Sequence, residues 1–503
     1  MKMFKKSILV VFSLIFIMSC DRHERITNSP PNIIYILADD LGYGDVSAYN
    51  PQSAFKTPNI DKLAEQGIRF TDAHSSSSVC TPTRYSILTG RYAWRTRLSN
   101  GVLWSYDDHL INPARTTVAS LLKNNGYNTA CIGKWHLGLD WTKIDSTNKV
   151  DFSAGIKNGP NTYGFDYFYG ITASLDIPPY VYIENDKITA IPDSIIPANP
   201  GKCFWREGPL GTDFRMEDVL QNLTNKALTF IRNQKKGTPF FVYFPLPAPH
   251  TPIIPTTEFL GKSKTNEYGD FVLQVDDVVG QIMQVLEEKG MDDNTLLIFT
   301  SDNGCSPMAD FEELKSFGHN PSYIFRGSKA DIYEGGHRIP FIAKCPERIP
   351  PGLISDETVC LSDLLATVSS IVGAETEENA AEDSYNILPA LVDEEYEEPI
   401  RPATVHHSIN GSFAIRQAEW KLIFCPGSGG WSYPIPKGAK EMDLPPMQLY
   451  NLYDDPGEQY NLVEANPEVV KELTQLMQKY IDDGRSTPGK PQPNDRSIVL
   501  ISE

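Results

Sequence analysis

Hydrophobic residues in this chain fall in short runs that alternate with longer amphipathic stretches. Residues 32–37 (Asn-Ile-Ile-Tyr-Ile-Leu) form a nearly unbroken apolar run, as expected of a strand buried on both faces of a parallel sheet. Thr57-Pro58 then opens a helix, with Thr as N-cap and Pro in the first turn. Ile60, Leu63 and Ala64 share its apolar face, and Gly67 ends it. A second helix is predicted from Thr116, burying Val118, Leu121 and Leu122 and stopping at Gly126; 127–133 reads as another strand. The alternation returns with a strand at 239–244, a Pro-rich loop, a long helix at 270–289 and a strand at 295–300. In that helix Val272, Val275, Val279, Ile282, Met283 and Leu286 lie on one side, and Gly290 ends it. Such recurring units predict an α/β fold, a mostly parallel sheet sandwiched by helices, with the functional crevice at the carboxyl ends of the strands.

Residues 375–398 hold a cluster of acids, followed by Pro399 and Pro402. They read as a solvated excursion that closes a main domain of residues 31–398 and leads into a smaller α+β subdomain over 399–503. There, 413–415 and 420–424 read as strands, 450–453 runs into the turn Asp454-Asp455-Pro456-Gly457, and 467–481 reads as a closing helix. At the other end, residues 1–19 read as a signal peptide: Lys2, Lys5 and Lys6 precede an apolar run too short to span a bilayer comfortably. Ile17-Met18-Ser19-Cys20 resembles a bacterial lipobox, with Cys20 lipidated and Met18 a less usual member. The expectation is an exported protein of the bacterial envelope, periplasmic or on the outer membrane, attached to the membrane through the lipid anchor only.

Composition narrows the partners. The 503 residues are 41% hydrophobic, enough for a large core, and 45 basic against 64 acidic residues give a net charge of −19. A chain this acidic lacks the basic face that nucleic acid requires. Setting aside Cys20 and Cys80, six cysteines remain, without paired CxxC spacing, so no structural zinc site is expected. Disulfides and buried thiols both remain open for them.

Asp39-Asp40 sits just past the first strand and Asp302-Asn303 just past the 295–300 strand. In a parallel sheet both points share one edge, and hard oxygen ligands without His or Cys suit Ca²⁺ or Mg²⁺. Each pair taken alone fits a helix cap or turn as well. In the segment 75–84, Pro82 fits a first helical turn, which places Cys80 at a helix N-terminus, where an anion or a thiolate is favoured; Arg84 adds a fixed positive charge. A half-cystine beside a capped helix is the alternative. Lys134 and His136, His250 in the Pro-rich loop, and Lys329 gather near strand ends, which points to a local anion pocket.

Cys80-Thr81-Pro82-Thr83-Arg84 matches the C-x-P-x-R signature of type I sulfatases, the formylglycine-dependent branch of the alkaline phosphatase superfamily. The stretches 32–45, 57–70, 86–91, 133–138, 301–304, 334–340 and 449–458 are similar to that family too, and the resemblance runs from residue 31 to 482. It implies that a sulfatase-maturating enzyme oxidises Cys80 to formylglycine (3-oxoalanine), whose hydrate is the nucleophile. A plain thiol attacking sulfur would leave a stable thiosulfate, whereas a geminal diol attacks with one hydroxyl and expels sulfate with the other. It further implies a Ca²⁺ held by Asp39, Asp40, the modified Cys80, Asp302 and Asn303. Arg84 would position the hydrate, and Lys134 and Lys329 would stabilise the sulfuryl charge. His250 would protonate the leaving alcohol, and His136 would take a proton as the aldehyde regenerates.

The chain resembles envelope sulfatases that desulfate host or algal glycans. Trp104, Tyr106, Tyr180, Tyr182 and Trp205 are candidates for stacking on sugars, and Asp176, Arg206, His319, Arg326, His406 and His407 for reading hydroxyls or sulfate. The negative charge should repel densely sulfated polymers, which favours exo action on terminal sulfated galactose or N-acetylgalactosamine. A phosphatase or phosphodiesterase of the same superfamily would need Ser or Thr at position 80 and extra His ligands for zinc, against nine His in all. A non-catalytic glycan-binding lipoprotein should have lost some of these polar residues, and none is missing.

Overall fold

The computed structural model describes residues 29–144 and 149–501; the expected signal peptide and Cys20 lie outside them. Ten strands form one sheet: β1 (Asn32–Asp39), β2 (Ile68–Phe70), β3 (Asn128–Lys134), β4 (Tyr167–Ile171), β5 (Ile183–Glu184), β6 (Lys187–Ile188), β7 (Phe240–Pro249), β8 (Thr295–Ser301), β9 (Phe341–Lys344) and β10 (Leu353–Ser355). Their spatial order is β10-β2-β9-β8-β1-β7-β3-β4-β5-β6. The central run β8-β1-β7-β3-β4 is parallel throughout, while β9 runs antiparallel to both β8 and β2.

The unbroken apolar run in β1 is explained by its two partners in burial. Ile33, Tyr35 and Leu37 face one core, and Ile34 and Ile36 face the other. Helices α2 (Cys80–Thr89), α3 (Val118–Asn124) and α6 (Leu364–Val372) cover the first face. Helices α1 (Pro58–Glu65), α4 (Val219–Asn233) and α5 (Glu267–Lys289) cover the second. The α5 N-terminus is capped by the Asn266 side chain, which accepts from the N–H groups of Tyr268 and Gly269. Thr57 occupies the N-cap position of α1 but caps nothing, because its hydroxyl instead donates to Asp61 and accepts from Ser47. Strands β3 and β7 approach closely at Gly133, where φ is +137° and a Cβ would lie 2.0 Å from the Pro245 carbonyl oxygen.

Four further strands, β11 (Thr404–His407), β12 (Phe413–Gln417), β13 (Trp420–Ile423) and β14 (Gln448–Asn451), make an antiparallel sheet in chain order. Helix α7 (Pro467–Asp482) packs against it through Leu473 and Met477. The seven described cysteines are unpaired, which removes the half-cystine alternative for Cys80. Among the described residues no helix is long and apolar enough to cross a membrane.

The acidic stretch departs from expectation. Glu382 and Asp383 are buried rather than solvated: Asp383 accepts from Arg95 Nε and Nη2 at 2.8 Å each, and Glu382 pairs with Arg91 and Arg115. Counting acids along the chain misses an arginine, Arg95, that lies 288 positions away. Asp383→Ala leaves Arg95 buried without its partner and should cost about 3–5 kcal/mol of stability, read as a large drop in melting temperature.

Candidate active site

β1 runs two residues beyond its apolar stretch, through an irregularity in pairing between Leu37 and Asp39, so Asp39 is the strand's last residue. Asp40 follows in the left-handed region, at φ +63°. Asp302 and Asn303 follow β8, and the two parallel neighbours deliver all four side chains to one edge, as the sequence predicts. Helix α2 enters the same edge with all ten residues buried. Its first residue is Cys80, which is 2% exposed, and one ligand atom each from Asp39, Cys80 and Asp302 lie within 4.8 Å of one another.

A buried set of ion pairs organises these groups. Arg84 Nε and Nη2 donate to Asp302 Oδ2 at 2.9 and 2.7 Å, and Nη1 donates to the Lys134 carbonyl. Lys134, at the end of β3, reaches Asp39 Oδ2 at 2.7 Å. Lys329 Nζ lies 2.7 Å from the Asp40 carboxylate, which also accepts from Asn303 Nδ2 at 2.8 Å. His250 is held through Nδ1 by the Thr251 carbonyl and places Nε2 3.6 Å from Asp40 Oδ2. His136, at φ +56°, bonds the Leu103 carbonyl through Nε2, and its buried Nδ1 has no partner.

Burial and charge set the protonation states. Burial pushes the Cys80 thiol up, and Lys134 and Lys329 only partly oppose it, so the helix N-terminus does not hold a thiolate here. Burial, Lys134 and Arg84 hold His136 well below the usual range, which leaves a neutral imidazole with a free acceptor nitrogen. Burial would raise the Asp39 carboxyl, but Lys134, His250 and Arg84 outweigh it and keep the group ionised. Asp302 moves the other way, up to about 6, because burial and the nearby Asp39 charge exceed the help from Arg84.

The donor set fits a hard dication. Asp39 Oδ1 and Asn303 Oδ1 are buried and accept no hydrogen bond, which leaves two hard oxygen atoms at this edge without a partner. Asp39, Asp40 and Asp302 are balanced by Arg84, Lys134 and Lys329, so an added dication would leave the centre positive and suited to an anion.

The expected sugar readers separate. Asp176 and Arg206 form an ion pair, and the Arg206 guanidinium lies 4.9 Å from the Trp104 ring, beside the Leu103 segment that holds His136. His319 is not a surface reader: its Nε2 bonds Asp45 at 2.8 Å, Asp45 accepts from Tyr268, and the Tyr268 hydroxyl also bonds the Asp40 carbonyl. This chain braces the Asp40 turn from behind. Arg326 stacks 3.9 Å from Tyr333 and lines a separate cavity of about 370 Å³ with Met442 and Tyr450. His407 is buried, and its ring nitrogens have no partner. Tyr180 and Tyr182 are core residues whose hydroxyls are already engaged by Arg206 and Asn222.

His406 joins His74 and His337 in a buried cluster. Lys421 donates to His337 Nε2 at 2.9 Å, so the His337 proton sits on Nδ1, facing His74 Nδ1 at 3.1 Å. His74 Nε2 bonds Asp72, and His406 stacks on His337 with centroids 3.8 Å apart. With Nε2 taken by the Lys421 donor, His337 keeps its proton on Nδ1, and the cluster is a buried polar core in which His406 Nε2 has no hydrogen-bond partner. Sequence reading missed this cluster, and it also missed Asp331, a buried carboxylate two residues after Lys329.

Fold and site together define a class, the α/β enzymes that handle anionic esters at the carboxyl edge of a parallel sheet. The chain belongs to the sulfatase family, whose profile matches residues 31–374. It is 35% identical to N-acetylgalactosamine-6-O-sulfatase of Bacteroides thetaiotaomicron, over 89% of this chain and 92% of that one. It is 30% identical to N-acetylgalactosamine-6-sulfatase of Sus scrofa, over 92% and 88%. A solved Bacteroides thetaiotaomicron structure, described under the metabolism of multiple glycosaminoglycans, superposes with a TM-score of 0.78 at 33% identity, over 90% and 99%. Another, Ps i-CgsB in complex with k-i-k-neocarrahexaose, gives 0.68 at 26% identity, over 92% and 95%. The protein is an enzyme, a sulfatase.

Proposed function

We propose that this sulfatase removes sulfate from carbohydrates, acting in exo mode on terminal sulfated galactose or N-acetylgalactosamine of host or algal glycans. The observation that carries the chemistry is Cys80, protonated and buried at a helix N-terminus near Lys134, Lys329 and the carboxylates of Asp39 and Asp302. The N-acetylgalactosamine sulfatases at 35% and 30% identity support the sugar, and the net charge of −19 supports a lightly sulfated terminus over a dense polymer.

Conversion of Cys80 to formylglycine by a maturation enzyme would supply a hydrated aldehyde, with one hydroxyl to attack sulfur and a second to expel sulfate. Asp39, Asp40, Asp302 and Asn303, with the modified residue 80, would hold a Ca²⁺ that supplies Lewis-acid polarisation of a sulfate oxygen. The chain's own residues do the rest. Lys134 and Lys329, held by Asp39 and Asp40, would place two ammonium groups beside the sulfuryl oxygens, and Arg84, held by Asp302, would position the hydrate at residue 80. His250, oriented by the Thr251 carbonyl, turns Nε2 inward to protonate the departing sugar oxygen. His136, neutral and with Nδ1 free, accepts the proton released as the nucleophile is restored. Asp176, Arg206 and Trp104 form the wall on which the sugar would be read. Residues 31–398 would carry the centre, residues 399–503 would form the smaller subdomain, and lipidated Cys20 would hold the chain in the bacterial envelope.

Cys80→Ala and His250→Ala should each abolish turnover of a sulfated N-acetylgalactosamine without lowering the melting temperature; near-normal rates in either would refute the assigned role. Adding Ca²⁺ to the chelated protein at a hundredfold excess over its dissociation constant should stabilise it by about 2.7 kcal/mol, read as a rise in melting temperature. Asp302→Asn should remove that rise, and an unchanged melting temperature in the parent protein would rule out the cation site.

A further inference from the structure

Of the chain's seven tryptophans, Trp104 and Trp431 alone are about half exposed, at 50% and 48%; Trp94, Trp135 and Trp141 are buried. Trp104 hangs from the Leu103 segment, which bonds both Thr81 and His136. Trp431 belongs to an unrelated loop, yet it is tied to the same centre by a different route.

That route runs through Asp331. Its buried carboxylate accepts from the N–H groups of Trp431 at 2.8 Å and Ser432 at 2.9 Å through Oδ1, and from Ser328 at 2.9 Å through Oδ2. The Ser432 hydroxyl donates to Asp331 as well, and Ile332 donates to the Ser428 carbonyl at 2.8 Å. Two residues before Asp331, Lys329 reaches Asp40. Between them, Ala330 donates to the carbonyl of Ser78, two positions before Cys80. A Cβ at Gly430 would lie 2.4 Å from the Ala330 carbonyl oxygen, so the loop backbone is pressed directly against the segment that carries Lys329. Gly429, at φ +61°, also meets Ser408 Oγ closely, where a Cβ would lie at 2.7 Å.

The indole at 431 is therefore fixed at its backbone, beside the segment that carries Lys329, and left open to solvent. An exposed aromatic face on a rigid, hydrogen-bonded loop matches what stacking on the apolar C–H face of a sugar ring needs: a large contact area already ordered before binding. We propose that Trp431 is a sugar-stacking platform at the entrance, a specificity residue held in place by the positioning residue Asp331. The inference rests on the reading that the substrate is a sulfated saccharide, and it assigns part of substrate recognition to the loop after β13.

The test compares the parent enzyme, Trp431→Ala and Trp431→Phe on a panel of monosulfated galactose, N-acetylgalactosamine and glucosamine saccharides, with an aryl sulfate alongside. Trp431→Ala should raise KM for the best saccharide about tenfold with a smaller change in kcat, and Trp431→Phe should restore most of the loss. In a Cys80→Ser protein, the same saccharide should shift indole fluorescence, and the shift should fall to the part contributed by Trp104 when Trp431→Phe is added. Asp331→Asn should raise the same KM, and a KM unmoved by it would remove the positioning role. A saccharide KM within twofold of the parent's in Trp431→Ala overturns the platform while leaving the sugar reading intact. A parent enzyme that cleaves the aryl sulfate but no saccharide overturns both.

Discussion

The structure is built around an electrostatic necessity at one sheet edge. Three carboxylates, Asp39, Asp40 and Asp302, are buried within reach of one another, and none would be tolerated alone in that environment. Arg84, Lys134 and Lys329 arrive from a helix, a strand end and a loop to neutralise them. The parallel sheet makes the arrangement possible because its neighbouring strands end at the same level, and the irregularity after Leu37 brings Asp39 into that level. Loss of one cation would strand a carboxylate, so the same pairs that prepare the chemistry also hold the elements together.

Support for this edge comes from polar groups that never face the crevice. His319, Asp45 and Tyr268 form a hydrogen-bonded chain that ends on the Asp40 backbone, where a left-handed residue turns the chain toward Lys329. The neighbouring network of His74, His337, Lys421, Glu334 and Glu458 joins the segment before α2 to the smaller sheet. These residues explain why so many histidines are buried in a protein with only nine of them.

Much of this was legible in the chain itself. The central strands and long helices announce themselves through apolar periodicity, and the acidic and amide residues after β1 and β8 reveal the shared edge because parallel topology makes their positions equivalent. Strands β2, β4 and β9 escape the same reading: they are short, and their burial depends on partners far away in sequence. His319 and His406 look like surface readers because a lone loop or strand histidine carries no mark of its partner. Glu382 and Asp383 hide within an acidic run, since only the fold brings Arg91 and Arg95 to them.

The 2% exposure of Cys80 has a bearing on timing. Its helix is buried along its whole length, its neighbours are locked in ion pairs, and no second protein could bring an oxidising centre to the sulfur without dismantling the edge. Under the role proposed for residue 80, oxidation must happen while the polypeptide is still nascent or unfolded. Folding then acts as a deadline, and a chain that closes before it is altered would be stable, well packed and permanently inert.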